Sequence, residues 1–205
     1  MKLFYLLIIL CFLSCKKKDG NFTLTGTITD DSFGVGLSDA SILLYQVSGS
    51  NSNQILISTI STDVNGNYKF VFKREMMEKY ILKITKTNYY DFDETIYFSS
   101  LSLENDNVRN YSTTAKSWVR LKFLNLAPVN SDELDFTKQI GKSSGLGCAP
   151  LTEQHLIGAI DTSIVYINDG NKTFSYNYSV FGTSIMGNKS VVTVPFDTTE
   201  IYLEY

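Results

Sequence analysis

Apolar and polar residues alternate with a period of two through much of this chain. Phe22, Leu24, Gly26 and Ile28 fall on one side of an extended segment, and Thr23, Thr25, Thr27 and Thr29 on the other. That is the pattern of a half-buried antiparallel strand, with β-branched threonines on the wet face. Further strands are predicted at 41–45, 55–62, 68–73, 80–85 and 95–99. Asn65-Gly66 lies between two of them and predicts a type I′ hairpin, because that turn needs positive φ at both central positions. Tyr68, Phe70 and Phe72 then share one face. The stretch 75–78 is expected to make one helical turn, with Met76 and Met77 plugging the end of a sandwich. In the second half Val119, Leu121 and Phe123 alternate with Trp118, Arg120 and Lys122. A strand at 163–168, a hairpin turn at Asp169-Gly170 and a facing strand through Phe174, Tyr176, Tyr178 and Val180 follow. Strands at 191–195 and 200–205 close the chain, with Ile201, Leu203 and Tyr205 on one face. The stretch 101–116 is polar and predicts a linker. The stretch 125–161, with Gly141, Gly145, Gly147 and Pro150, predicts a long irregular loop, a length that often marks a functional or mobile segment.

The expectation is an all-β chain of two β-sandwiches, 21–100 and 117–205. The competing reading is one extended domain in which the Trp118 strand completes the first sandwich.

The first residues read differently. Met1-Lys2 is a short basic start, and an apolar run follows from Leu3 to Leu13. The run is short for a bilayer-spanning helix and fits a signal peptide over 1–14. The ending Phe12-Leu13-Ser14-Cys15 resembles the lipobox of bacterial lipoproteins, with Phe12 in place of the usual Leu. That resemblance implies lipidation of Cys15, which becomes the first mature residue, and residues 15–20 serve as a polar tether. A thioether-linked lipid with an added amide-linked chain satisfies the need of stable anchoring for more than one chain. Lys16 after the cysteine is unlike the Asp-based signal for inner-membrane retention, so an outer-membrane location is expected. The surface-export tag of such bacteria is acidic, whereas Asp19 is the one acidic residue near Lys16, Lys17 and Lys18, so the face of the membrane stays open.

Charge and cysteine content narrow the function classes. The 205 residues carry 18 basic and 21 acidic side chains, a net charge of −3. One lysine leaves with the signal, so the mature chain has net charge −4. No basic stripe exists to neutralise phosphates, and nucleic acid is excluded as a partner. Cys11 leaves with the signal and Cys15 is acylated, so Cys148 has no disulfide partner. It is expected as a small buried loop residue.

Four ordered blocks in the first half carry a second resemblance. They are Gly26-x-Ile28-x-Asp30, then Gly36-Leu37-Ser38-Asp39-Ala40-Ser41-Ile42-Leu43-Leu44, then Thr62-Asp63-x-x-Gly66-x-Tyr68-x-Phe70, then Tyr80-x-Leu82-x-Ile84 with Asn88-Tyr89. Together they resemble the carboxypeptidase regulatory-like domain, which implies a transthyretin-like (prealbumin-like) β-sandwich over about 80 residues. The family usually has Pro before Leu37 and Gly in place of Asp39 and Asn88. Asn tolerates the left-handed region better than other non-glycine residues. The resemblance implies a fold and no single activity. In the second half, 118–125 and the ending Val194-Pro195-Phe196-Asp197-Thr198-Thr199-Glu200 are similar to uncharacterised lipoproteins of Bacteroidota-type bacteria. That sandwich is expected to be Ig-like or similar.

Enzyme signatures are sparse. His155 is the single histidine, whereas a zinc hydrolase or a serine triad needs histidine at defined spacing to its partners. It is expected as a solvated loop residue. Asp63-x-Asn65-x-Asn67 echoes a calcium loop, but glycine stands fourth rather than sixth and Arg74 stands where the bidentate Glu belongs. The carboxylates Asp91, Asp93, Glu94 and Glu104 have no separation fixed by sequence, as glycoside chemistry demands. No catalytic residue, cofactor or metal is therefore assigned. Tyr89, Tyr90, Tyr97 and Trp118 are the candidate binding aromatics, able to stack on sugar or peptide and equally at home in a core. The expected function is a non-enzymatic, lipid-anchored envelope protein that binds or scaffolds a protein partner. The alternative is a glycan-binding surface lipoprotein, and a hydrolase centred on 125–161 is the least favoured.

Overall fold

The computed structural model describes residues 20–205 apart from 50, 130 and 159. The signal segment 1–14, Cys15 and the tether up to residue 19 lie outside the described residues. Among the described residues no α-helix occurs, a single 3-10 turn spans Phe98–Ser100, and no helix is long and apolar enough to cross a membrane.

The first sandwich is built on β1 (Asn21–Asp30). Its neighbours in the sheet are β2 (Val35–Gly36) and β5 (Asn67–Lys73), both antiparallel, with Leu24 opposite Phe70. The facing sheet has the order β4-β3-β6-β7, made of β3 (Ser41–Ser48), β4 (Asn51–Ser61), β6 (Lys79–Thr85) and β7 (Phe92–Tyr97). Phe22, Leu24 and Ile28 from one sheet meet Ile42, Leu44, Tyr80, Leu82 and Ile84 from the other. Tyr80 stands edge-on to Phe72 at 5.0 Å. Each such side chain stabilises the fold by about 1.5–3 kcal/mol when fully buried.

The second sandwich repeats this plan. In one sheet β10 (Lys116–Leu124) lies between antiparallel β13 (Asp161–Asp169) and parallel β16 (Thr198–Glu204). The other has the order β12-β11-β14-β15, made of β11 (Glu133–Ile140), β12 (Gln154–Ile157), β14 (Thr173–Val180) and β15 (Met186–Val192). Val119, Leu121, Phe123, Leu134, Phe136, Phe174, Tyr176, Ile201 and Leu203 fill the space between. The all-β, two-sandwich architecture is as the alternation predicts.

Several local expectations are corrected. The turn at Asn65-Gly66 does not close a hairpin, because β4 pairs with β3 and β5 pairs with β1. It arches from one sheet to the other. The Asp63 carboxylate accepts the Asn67 N–H at 2.8 Å, the Asn67 side-chain amide at 3.1 Å and the Asn65 N–H at 2.8 Å, which together hold its pKa below the usual carboxylate value. Gly66 alone of the central pair takes positive φ, 78°, and a Cβ there would lie 2.3 Å from the Ile28 carbonyl oxygen. The Asp169-Gly170 turn is also an arch, since β13 and β14 belong to different sheets. The stretch 75–78 makes no helical turn. Of its methionines, Met77 packs on the core, whereas Met76 is 92% exposed.

The linker expected at 101–116 instead carries β8 (Asn107–Val108) and β9 (Tyr111–Thr113), both parallel to β1 and part of the first sandwich. The irregular loop expected at 125–161 contains β11 and β12. Both stretches are short on uninterrupted apolar runs, and their pairing comes from non-local partners.

The sandwiches meet end to end. The Asn171 amide donates to the Ser32 carbonyl at 2.9 Å, and the Ala115 N–H donates to Ser32 Oγ at 2.9 Å. Gly170 N–H donates to the Ala115 carbonyl at 2.8 Å. Phe196 stacks on Phe33 with centroids 6.2 Å apart and meets Tyr89 edge-on at 5.4 Å. β1 therefore runs from the Gly20 end to this junction, and β10 runs from the junction to the far end of the second sandwich. The two strands have 10 and 9 residues. At about 3.3 Å per residue each of them spans about 30 Å.

Candidate functional site

Glu133-Leu134-Asp135-Phe136-Thr137 alternates polar and apolar, and in β11 Leu134 and Phe136 point into the core. Glu133, Asp135 and Thr137 therefore point outward. Directly opposed residues of antiparallel strands share a face, so the register lays out the outward surface row by row. At the tip, Ile157 of β12 lies opposite Glu133. Phe181 follows β14 there, and its N–H donates to the Glu133 carbonyl at 2.9 Å. One row down, His155 lies opposite Asp135, Asp135 opposite Ser179, and Ser179 opposite Met186. In the next row Thr137 lies opposite Asn177, and Asn177 opposite Asn188.

Glu133, Asp135 and His155 form a cluster whose ligating atoms all lie within 4.8 Å of one another. His155 Nδ1 is 2.6 Å from Asp135 Oδ1 and 3.2 Å from Glu133 Oε1. The hydrogen bond to Asp135 raises the His155 pKa above its usual 6.5, and the charges of Asp135, Glu153 and Glu133 add to this. Three such donors are of a type that holds a divalent transition metal, yet the short Nδ1–Oδ1 distance is that of a charge-assisted hydrogen bond. His155, expected in a loop, sits on an edge strand.

Beside this cluster lies an open trough of about 310 Å³, lined by Asp135, Thr137, Glu153, Asn177, Ser179 and Met186 among others. Its rim is apolar at the tip, where Ile157 is 69%, Phe181 71% and Met186 70% exposed. The row His155–Asp135–Ser179 holds a serine, a histidine and an aspartate, but the aspartate is in the middle. A triad needs the imidazole between the other two. Here two strand spacings of about 4.8 Å separate imidazole and hydroxyl.

The four candidate aromatics do not form one platform. Tyr89 is buried, 7% exposed, and its hydroxyl donates to Asp30 Oδ2 at 2.7 Å. Tyr90 donates to the Asn168 carbonyl at 3.1 Å, and the Lys142 ammonium sits 3.8 Å from its ring centroid. Both belong to the junction between sandwiches. Trp118 is half-buried on β10, opposite Ile167 of β13. Tyr97 is exposed at the end of β7 away from the junction, opposite Lys79. Tyr89 and Tyr90 are structural tyrosines, each burying ring area with a satisfied hydroxyl. A second recess, about 530 Å³, opens beside the junction between Asp39, Lys86, Asp91 and Lys116. Lys86 Nζ is committed there to the Ser38 carbonyl at 2.5 Å. Cys148 is half-buried, with its thiol 3.1 Å from the Ser144 carbonyl oxygen. Of the four carboxylates considered for glycoside chemistry, Asp93 and Glu94 are neighbours on β7 and so point to opposite faces, Asp91 directly precedes β7, and Glu104 lies in the turn ahead of β8.

Glu133, Asp135 and Glu153 are not among the residues picked out by sequence. The signal was present as period-two alternation in 133–137 and in Gln154-His155-Leu156-Ile157, but glycines around it read as loop.

No family model and no curated protein matches the chain. Among solved structures it is similar to the Bacillus anthracis TIE protein at 13% identity and a TM-score of 0.36, covering 90% of this chain and 34% of that one. It is also similar to the shaft pilin SpaA from Lactobacillus rhamnosus GG, at 10% identity and a TM-score of 0.34, covering 91% of this chain and 98% of the pilin. A third likeness is to a 3-chlorocatechol 1,2-dioxygenase from Rhodococcus opacus, at 12% identity and a TM-score of 0.31, covering 49% of this chain and 62% of the enzyme. The chain thus spans about a third of the TIE protein's length and under two thirds of the dioxygenase's. These likenesses are distant, and the functional reading rests on the chain's own residues.

Proposed function

We propose that this chain is a non-enzymatic, lipid-anchored protein of the bacterial envelope that binds or scaffolds a protein partner. The observation that carries the reading is its polarity. Gly20 enters the fold at one end, and the outward face with its apolar tip lies at the other. The basic start, the apolar run and Cys15 support an anchor at the near end. Four residues lie between Cys15 and Gly20, so the near end rides within about 20 Å of the anchored cysteine even when the tether is extended. Lys16 favours the outer membrane. The first sandwich is of the carboxypeptidase regulatory-like type in this reading. Positive φ at Asp39 (50°) and Asn88 (64°), the two places where that family usually has Gly, supports it.

A non-catalytic role is supported by the order of the His155–Asp135–Ser179 row. A glycan-binding alternative is favoured by one feature, the Thr137, Asn177 and Ser179 groups beside Asp135 in the trough, which suit sugar hydroxyls.

Membrane fractionation of the wild type and of Cys15→Ala tests the anchor. The wild type is expected with the membrane and the variant in the soluble fraction. A soluble wild type would overturn the reading.

A further inference from the structure

We infer that the outward face of the β12-β11-β14-β15 sheet is the docking surface for an arginine-bearing, partly apolar segment of the partner protein. This rests on the binding-module reading and names the chemistry of its partner. The outward positions of the four strands hold two carboxylates, Glu133 and Asp135, and no lysine or arginine, and a third carboxylate, Glu153 just before β12, lines the same trough. His155 offsets at most one of those charges. The lysines closest in sequence are turned away. Lys138 is buried and donates to the Lys142 and Ala149 carbonyls, both at 2.7 Å. Lys189 pairs across from Tyr176, which points into the core. The face is therefore anionic and complementary to a cation.

The trough favours a guanidinium over an ammonium. Arginine carries five N–H donors in a planar fork and no acceptor, so it needs several convergent acceptors. Asp135, Glu153 and the Ser179 hydroxyl supply them around one recess, beside Asn177, whose amide oxygen already accepts from Asn188 at 2.9 Å. Asp135 is already oriented by its bond to His155, which lowers the cost of ordering it on binding. The exposed Phe181 and Met186 beside the recess supply the apolar area that charge alone lacks.

The test uses the detergent-solubilised full chain and two labelled, end-capped probe peptides, Arg-Phe-Arg-Leu-Arg and Glu-Phe-Glu-Leu-Glu. Fluorescence anisotropy is expected to show saturable binding of the arginine peptide alone, weakening as salt is raised. The variants Glu153→Gln and Asp135→Asn combined should weaken it about tenfold. Glu153→Gln by itself, at an exposed position, should weaken it in the same direction without touching the fold. Equal binding of both peptides, or wild-type affinity in the double variant, overturns the inference. Binding that requires added Zn2+ and is abolished by a chelator also overturns it, in favour of a metal centre at Glu133, Asp135 and His155. If the double variant still crosslinks to the wild-type partner in the native envelope, this face is refuted while the binding-module reading stands.

Discussion

Gly26→Ala is the sharpest perturbation of the first sandwich. The backbone at Gly26 is ordinary extended strand, so strain in φ is not at issue. A Cβ there would lie 1.6 Å from the Arg109 carbonyl oxygen and 2.9 Å from the Tyr68 ring. An ordinary carbon–oxygen contact is about 3.4 Å, so the β8–β9 segment must retreat by almost 2 Å. Three hydrogen bonds are lost in doing so. Arg109 N–H to the Thr25 carbonyl is 2.8 Å, Thr27 N–H to Asn110 Oδ1 is 2.9 Å, and Tyr68 hydroxyl to the Arg109 carbonyl is 2.8 Å. At about 1 kcal/mol each, and more for the part-buried Tyr68 hydroxyl left without a partner, the cost is about 3–4 kcal/mol. For a chain of this size that lowers Tm by about 10 °C. Urea unfolding of the purified chain is followed by near-ultraviolet dichroism and by fluorescence of Trp118, the single tryptophan, which reports from the second sandwich. A loss below about 1 kcal/mol would refute the close packing of 107–113 on β1.

Other consequences are equally open to measurement. Tyr176 is fully buried, and its hydroxyl has no hydrogen-bond partner among the described residues; Tyr176→Phe should hold or raise stability by up to about 1 kcal/mol, and a clear loss in thermal unfolding would reveal a partner for that oxygen. By NMR, the His155 titration midpoint should lie above 6.5 and fall toward it in Asp135→Asn; because the folded pKa is the raised one, its contribution is complete below pH 6.5 and lost as pH rises through the folded value. A wild-type midpoint at or below 6.5 would remove the carboxylate pairing. Phe196→Ala removes contacts with Phe33 and Tyr89 worth about 1–2 kcal/mol, so calorimetry should resolve separate transitions for the two sandwiches; one unshifted transition would show that the rings do not couple them.

Alternation made β1, β5, β6 and β10 legible, because each has one face on a core and one in water. Turn chemistry was legible as turns and misleading as hairpins. Asn65-Gly66 and Asp169-Gly170 both reverse the chain, yet in each case the two strands go to different sheets, and nothing local encodes which partner a strand takes. The parallel pairing of β8 and β9 on β1 depends on residues more than 80 positions away, beyond any periodicity argument. The aromatics Tyr89 and Tyr90 looked like a platform because sequence gives their area and not their burial; they hold the junction through Asp30 and Asn168. The outward face was missed for the opposite reason. Its carboxylates are spread over β11 and a residue just before β12, and only the register brings them together.

The proposed role requires that the end of the second sandwich away from the junction present a face to a protein partner. It is tested most directly by a photocrosslinking side chain placed at Phe181 in the native envelope, with the same group at Met76, near the tether, as the comparison. A discrete adduct with one protein from position 181, absent from position 76 and absent when Cys15→Ala releases the chain, is the predicted result. No adduct from position 181 while the protein remains anchored and folded would contradict the account.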